Sequence, residues 1–204
     1  MVRNSRSAIK HRRILDAATQ LFCEQGFMST SMDEIARLAE VSKQTVYAHF
    51  GNKNQLFVAA IEARVADTMY QGDLLTDAQA PQQTLEHFGQ QFLSLLGSKE
   101  AIAVHRTCVA QAETHPELAQ MFYQAGPVRI VESVSEYLQG LNQHGEYCFS
   151  PVRDAAIRLL TALKGEVQMR LELNLDVSEC TKSQPEYIAA TVKAFLLGHK
   201  SPSS

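Results

Sequence analysis

The chain has 204 residues and a mass of 22.7 kDa, with 45% hydrophobic and 20% charged residues, enough for one large domain or two small ones. No stretch approaches the roughly 20 uninterrupted apolar residues a membrane helix needs, so a membrane-spanning helical protein is excluded. The formal net charge of −3 conceals a polarity: residues 1–65 carry nine Lys/Arg against six acids, a net of +3, and the remainder carries a net of −6. A basic amino-terminal part and an acidic remainder are expected when only one end meets phosphate. The first residues are charged and already helical in pattern, so no signal peptide is expected. Cys23, Cys108, Cys148 and Cys180 are widely spaced without a C-x-x-C pair. That spacing fits reduced thiols in a cytoplasm better than a disulfide framework.

Residues 1–7, MVRNSRS, read as a short polar arm whose Arg3 and Arg6 suit phosphates or a minor groove. A first helix is predicted over 8–25, with Ile14, Ala17, Ala18, Leu21 and Phe22 as its apolar stripe and Gly26 ending it at C′. Cys23, near that stripe, reads as a small buried hydrophobe. The next stretch, SMDEIARLAEVSKQTVYAHF at 31–50, reads as two short helices joined by a tight turn. Ser31 and Glu34 form an S-x-x-E capping box that starts the first of them. Ile35, Ala36 and Ala39 supply its inner face, and Val41 plugs the turn. Ser42 has the chemistry to cap the second helix, predicted over 43–49. There Val46 and Phe50, four apart, point inward and leave Lys43, Gln44, Thr45, Tyr47 and His49 outward. Apart from Ala48 this free face is polar, and none of it is acidic, which suits a polyanion. Asn52 then caps a fourth helix over 53–70, with Leu56, Phe57, Ala60, Ile61, Arg64 and Val65 at helical spacing. Lys53 stands in its first turn, where the helix dipole prefers an acid; a phosphate lying near that end would explain it.

The run from Ile14 to Glu62 resembles the DNA-binding domain of the TetR family of transcriptional regulators. The resemblance is carried by the A-A-x-x-L-F helix, the G-F-x-x-T/S-S/T entry, the V-S-x-x-T-V-Y-x-H-F core and the N-K-x-x-L lead into helix four. The family often has Gly in the turn, where this chain has Glu40. A positive φ at that position would cost roughly 1 kcal/mol. The resemblance implies a three-helix helix-turn-helix domain over 1–52 and a connecting helix and linker over 53–74. It also implies a ligand-binding and dimerisation domain over 75–204.

Beyond the polar segment 71–83, helical patterns recur over 81–96, 100–114, 116–123, 127–144, 151–175 and 184–198, with prolines 81, 116, 127, 151 and 185 at or near helix starts. No segment alternates with period two between hairpin turns, so the fold class expected is all-α, with the domain boundary near Tyr70–Leu75. Glu113–Pro127, ETHPELAQMFYQAGP, and the later Arg153, Ala155 and Ala156 resemble the carboxy-terminal domain of AefR-like regulators, a group associated with efflux or quorum-sensing control.

His105 and Cys108 share a helix face, but no third ligand or oriented base stands at a recognised spacing, and no metal or cofactor is expected. Glu132 and Glu136 read as a solvated helix face. No G-x-S-x-G, Walker loop or dinucleotide fingerprint is present. Phe88, Phe92, Met121, Phe122 and Met169, with His105 among the polar groups, are candidate walls of a ligand pocket between helices. The wide apolar arcs of 151–175 and 184–198 fit a two-fold four-helix interface. The sequence thus points to a cytoplasmic, homodimeric transcriptional regulator that binds double-stranded DNA and is released by a small-molecule effector; it acts as a repressor. An activator, or a helical thiol or metal enzyme, is the alternative. Lys43, Gln44, Thr45, Tyr47 and His49 are expected at the major groove, and Thr30, Ser31, Ser42, Tyr47 and Lys53 at phosphates.

Overall fold

The structure, a computed structural model, describes residues 2–69 and 74–201, with side chains described for 6–67 and 74–201. Among the described residues its regular structure is all helical apart from one isolated antiparallel bridge, Tyr147 to Lys200. The helices in chain order are α1 (Val2–Ser29), α2 (Met32–Leu38), α3 (Lys43–Phe50), α4 (Lys53–Met69), α5 (Pro81–Leu96) and α6 (Lys99–Ala110). There follow α7 (Pro116–Tyr123), a π-helical turn (Gln124–Val128), α8 (Arg129–Gln143), α9 (Val152–Glu172), α10 (Ser178–Lys182) and α11 (Gln184–Leu197). Helix α1 begins at Val2 instead of residue 8, so the expected polar arm forms its first turns. The side chain of Arg3 lies outside the described residues. Gly26 leaves helical geometry at φ 79° and ψ 166°, a conformation open to glycine, and the chain closes one more turn to Ser29.

The described chain divides into two compact units, 1–65 with 99–126, and 66–98 with 127–204. This differs from the single cut expected near Tyr70–Leu75, part of which (70–73) lies outside the described residues. The cause is where α6 and α7 place their apolar residues. Cys108 and Leu118 are buried in the same core as Ile14, Ala18, Phe22, Ile35, Val46, Leu56 and Phe57, with Val104, Met121 and Phe122 packed against it. At its centre Phe57 meets Phe22 and Phe27 edge-on, with centroids 5.3 and 5.0 Å away. These are the arrangements the ring quadrupoles favour. A helix-turn-helix of this size has too little core of its own, and the two later helices complete it.

In the second unit α5, α8, α9 and α11 surround Leu85, Phe88, Val134, Leu138, Leu159, Leu163, Ile188 and Val192, all buried. The Asp77 carbonyl accepts from the Tyr137 hydroxyl (2.8 Å) and the Thr84 hydroxyl (3.1 Å), which pins the segment before α5. Burial pushes the Tyr137 phenol up to about 12. Helix α9 is broken within its length at Gly165 (φ 50°, ψ −152°), a conformation closed to side-chain-bearing residues. The Tyr187 hydroxyl fills the gap and donates to the Ala162 carbonyl at 2.6 Å. The sequence pattern over 151–175 did not show this break, nor the short α10.

Candidate nucleic-acid interface

Two helix starts and one tight turn set the geometry. The Ser31 side chain accepts from the Glu34 N–H (3.2 Å), and the Ser31 N–H donates back to the Glu34 carboxylate (2.8 Å). The capping box read from the sequence is therefore formed. The hydrogen bonds from the Ser31 hydroxyl and then its N–H hold the Glu34 carboxyl below its ordinary value. Helix α2 ends in a Schellman motif: the Glu40 N–H donates to Arg37 O (3.2 Å) and the Val41 N–H to Ala36 O (3.0 Å). The C′ residue of that motif is Glu40, at φ +52°. Its carboxylate accepts from the Arg13 guanidinium of α1 at 2.5 Å, so the ion pair holds the turn from outside.

Helix α3 then starts on Ser42, whose side chain accepts from the Thr45 N–H at 3.2 Å. Val46 and Phe50 are buried beneath it. Ser42, Lys43, Gln44, Tyr47 and Ala48 are exposed, and Thr45 and His49 are half-buried. The outward face expected from the spacing is thus brought together on one helix. Lys43 is additionally held by Asp33 of α2, with Nζ 2.7 Å from Oδ1, and lies 5.9 Å from the Tyr47 ring centroid. The hydrogen bond to Asp33, reinforced by its charge, raises the Lys43 ammonium above its usual value.

Thr30 departs from the expected phosphate role, and Lys53 is engaged with backbone carbonyls. Thr30 is buried, and its hydroxyl donates to Gly26 O at 2.8 Å, satisfying a carbonyl at the end of α1. Lys53 sends its ammonium to three carbonyls, Phe27 O (2.9 Å), Thr30 O (3.0 Å) and Met28 O (3.4 Å). It also sits 4.4 Å from the Phe27 ring centroid. Burial lowers its pKa. A cation in the first turn of α4 is explained by these carbonyls without a phosphate. Residues the sequence did not single out also stand at this surface. Arg13 and Asp33 form the ion pairs just described, with Glu40 and Lys43, and His11 of α1 packs its ring 5.8 Å from that of His49. The local pattern held no signal for these contacts, because each partner comes from a different helix or turn.

The pocket candidates are divided between the two units. His105 and Phe122 lie together in the first unit, ring centroids 5.8 Å apart, with Met121 half-buried nearby in the chain. In the second unit Phe88 and Phe92 stack within the core at 5.8 Å, and Met169 is 63% exposed on α9. The thiols of Cys23 and Cys108 are pushed up to about 11, chiefly by burial. That is opposite to the depressed value of a nucleophilic cysteine. Among the described residues no group of three or more His, Cys, Asp or Glu is placed to hold a metal ion. No described helix is long and apolar enough to cross a membrane.

A capped helix-turn-helix with an acid-free second helix is the working part of a DNA-binding protein. Residues 14–60 match the pattern of the bacterial regulatory proteins of the tetR family, and residues 83–198 match the carboxy-terminal domain of AefR-like transcriptional repressors. The flavonoid-responsive regulator FrrA is 30% identical over 95% of this chain and 98% of its own, with a TM-score of 0.75. A TetR-family regulator from Mesorhizobium loti MAFF303099 is 28% identical over 96% and 99%, with a TM-score of 0.78. The regulator AcrR of Shigella flexneri is 42% identical over 59 residues, 28% of this chain and 27% of AcrR. The chain belongs to the TetR family and is a DNA-binding transcriptional regulator.

Proposed function

We propose that the protein is a cytoplasmic homodimeric repressor that reads a palindromic operator through α3 and is released by a small molecule. The observation that carries the reading is the exposed face of α3, where Ser42, Lys43, Gln44 and Tyr47 project and no carboxylate does. Gln44 pairs with adenine N6/N7, and Lys43 exchanges Asp33 for guanine or phosphate. Ser31, Ser42 and Tyr47 fix register on the backbone, while Thr45 and His49 border the groove. One such helix reads only a few base pairs, so two copies a helical repeat apart are needed. Exposed apolar residues on α9 and α11, among them Ile157, Tyr187 and Leu197, support a second copy as their cover. The name of FrrA makes flavonoid-like aromatic compounds the first effector class to test. The effector lowers operator affinity by its preference for the conformation in which the two reading helices are mis-spaced.

The test is selection of bound duplexes from a random pool, with wild type and Gln44→Ala, each repeated with aromatic compounds present. Wild type should enrich a palindrome. Gln44→Ala should lose roughly 1–3 kcal/mol on it and relax preference at one base of each half-site. An unenriched pool refutes the reading, and an unchanged preference removes Gln44 from it.

A further inference from the structure

We propose that His11, on α1, is a DNA-contact residue: with His49 it forms a two-imidazole seat for one backbone phosphate, and duplex binding takes up a proton there. The inference rests on the reading of α3 as the DNA-contacting helix. The two rings meet edge to face, with centroids 5.8 Å apart and an interplanar angle of 66°. Phe50 backs both, 4.7 Å from His11 and 6.1 Å from His49. Phe50 is buried, His49 half-buried and His11 exposed, so an apolar wall fixes a pair of titratable rings at the surface beside the reading helix.

A neutral imidazole has one N–H donor, whereas an imidazolium has two donors and a charge, the better partner for a phosphate. In the free chain His11 resists protonation. Partial burial, and then the neighbouring His49, keep His11 below its ordinary value. Other charges on the adjoining elements are already paired: Arg12 with Asp16 and Arg13 with Glu40 on α1, Lys43 with Asp33 on α3. Lys53 at the start of α4 is held by backbone carbonyls. Lys10 on α1 and Tyr47 on α3 are not carboxylates. Among the described residues no carboxylate acts on His11; the charge that does is that of His49, which opposes protonation, so nothing in the described chain draws a proton to it. An anion from outside does, because an opposite charge within about 4–6 Å favours the charged form.

The experiment uses the full chain and a duplex recovered by the selection above. Affinity is measured by fluorescence anisotropy at about pH 6 and about pH 8, at fixed salt, for wild type and His11→Gln. Wild type should bind roughly tenfold tighter at the lower pH, the factor that corresponds to one pKa unit. In the variant the ratio should fall below about threefold, less than half a unit. NMR of the His11 ring should show its pKa rising when the duplex is added, a readout that a purely structural ring would not move. Equal affinity at both pH values overturns the proposal, as does a pH dependence that His11→Gln leaves intact. In either case the α3 reading stands. Failure to bind any selected duplex at either pH overturns the α3 reading and this inference together.

Discussion

Replacing Glu40 separates two effects that the helix-turn-helix superimposes on one residue. Its φ of +52° is in the left-handed region, which costs a side-chain-bearing residue about 1–2 kcal/mol. Its carboxylate pairs with Arg13, but the two side chains are 81% and 42% exposed. Solvent screening therefore limits that pair to about 0.2–1 kcal/mol. Glu40→Ala removes the pair and keeps the strain, so it should destabilise by about that 0.2–1 kcal/mol. Glu40→Gly removes both, at a backbone-entropy cost of about 0.5–1 kcal/mol. The glycine variant should therefore be more stable than the alanine variant by about 0.5–1 kcal/mol, or about 1–4 °C in Tm for a chain of this size. Urea and thermal unfolding at matched protein concentration give both numbers, and repeating them in an Arg13→Gln background isolates the ion pair. An alanine variant as stable as the glycine variant would refute the strain argument. An Arg13→Gln background that left the loss from Glu40→Ala undiminished would refute the ion pair.

Three further outcomes follow from contacts described above. Lys53→Met should lower stability by about 1–3 kcal/mol, because an ammonium meeting three carbonyls is lost; an unchanged unfolding midpoint with a shallower salt dependence of DNA binding would instead favour the phosphate role. Gly165→Ala should destabilise the second unit by at least about 1–3 kcal/mol, since an added Cβ would meet the Tyr187 hydroxyl at 2.8 Å; a neutral effect in urea unfolding would show that α9 straightens without loss. Because the His11 pKa lies lower in the folded chain than in the unfolded one, the unfolded chain binds more protons there. Stability should therefore rise with pH from below the folded value up to about 6.5, and less so in His11→Gln; identical pH profiles of Tm for the two proteins would contradict this.

What the sequence made legible was local. Ser31 with Glu34, Ser42 with Thr45, and Gly26 at its helix end involve neighbours within a turn, so residue types at fixed offsets announce them. The starts of α5 at Pro81 and α7 at Pro116 were legible for the same reason. What the sequence could not show involves partners that pattern cannot rank. Lys53 looked like a phosphate ligand because the carbonyls of Phe27, Met28 and Thr30, which it binds, belong to backbone and leave no mark in the sequence. Thr30 looked like a surface hydroxyl because the fold alone decides that Gly26 O lies 2.8 Å away. The grouping of 99–126 with the first helices was hidden because amphipathic periodicity tells that a helix has an inner face, not which core receives it. The break at Gly165 escaped because the apolar spacing continues across it.

Lys53 also has a mechanical consequence. It bolts the head of α4 to the corner where α1 hands over to α2, and the rings of Phe22, Phe27 and Phe57 lock behind it. Slippage at that joint would break three hydrogen bonds of one ammonium at once, so the head of α4 and the corner beside it are expected to shift as one piece.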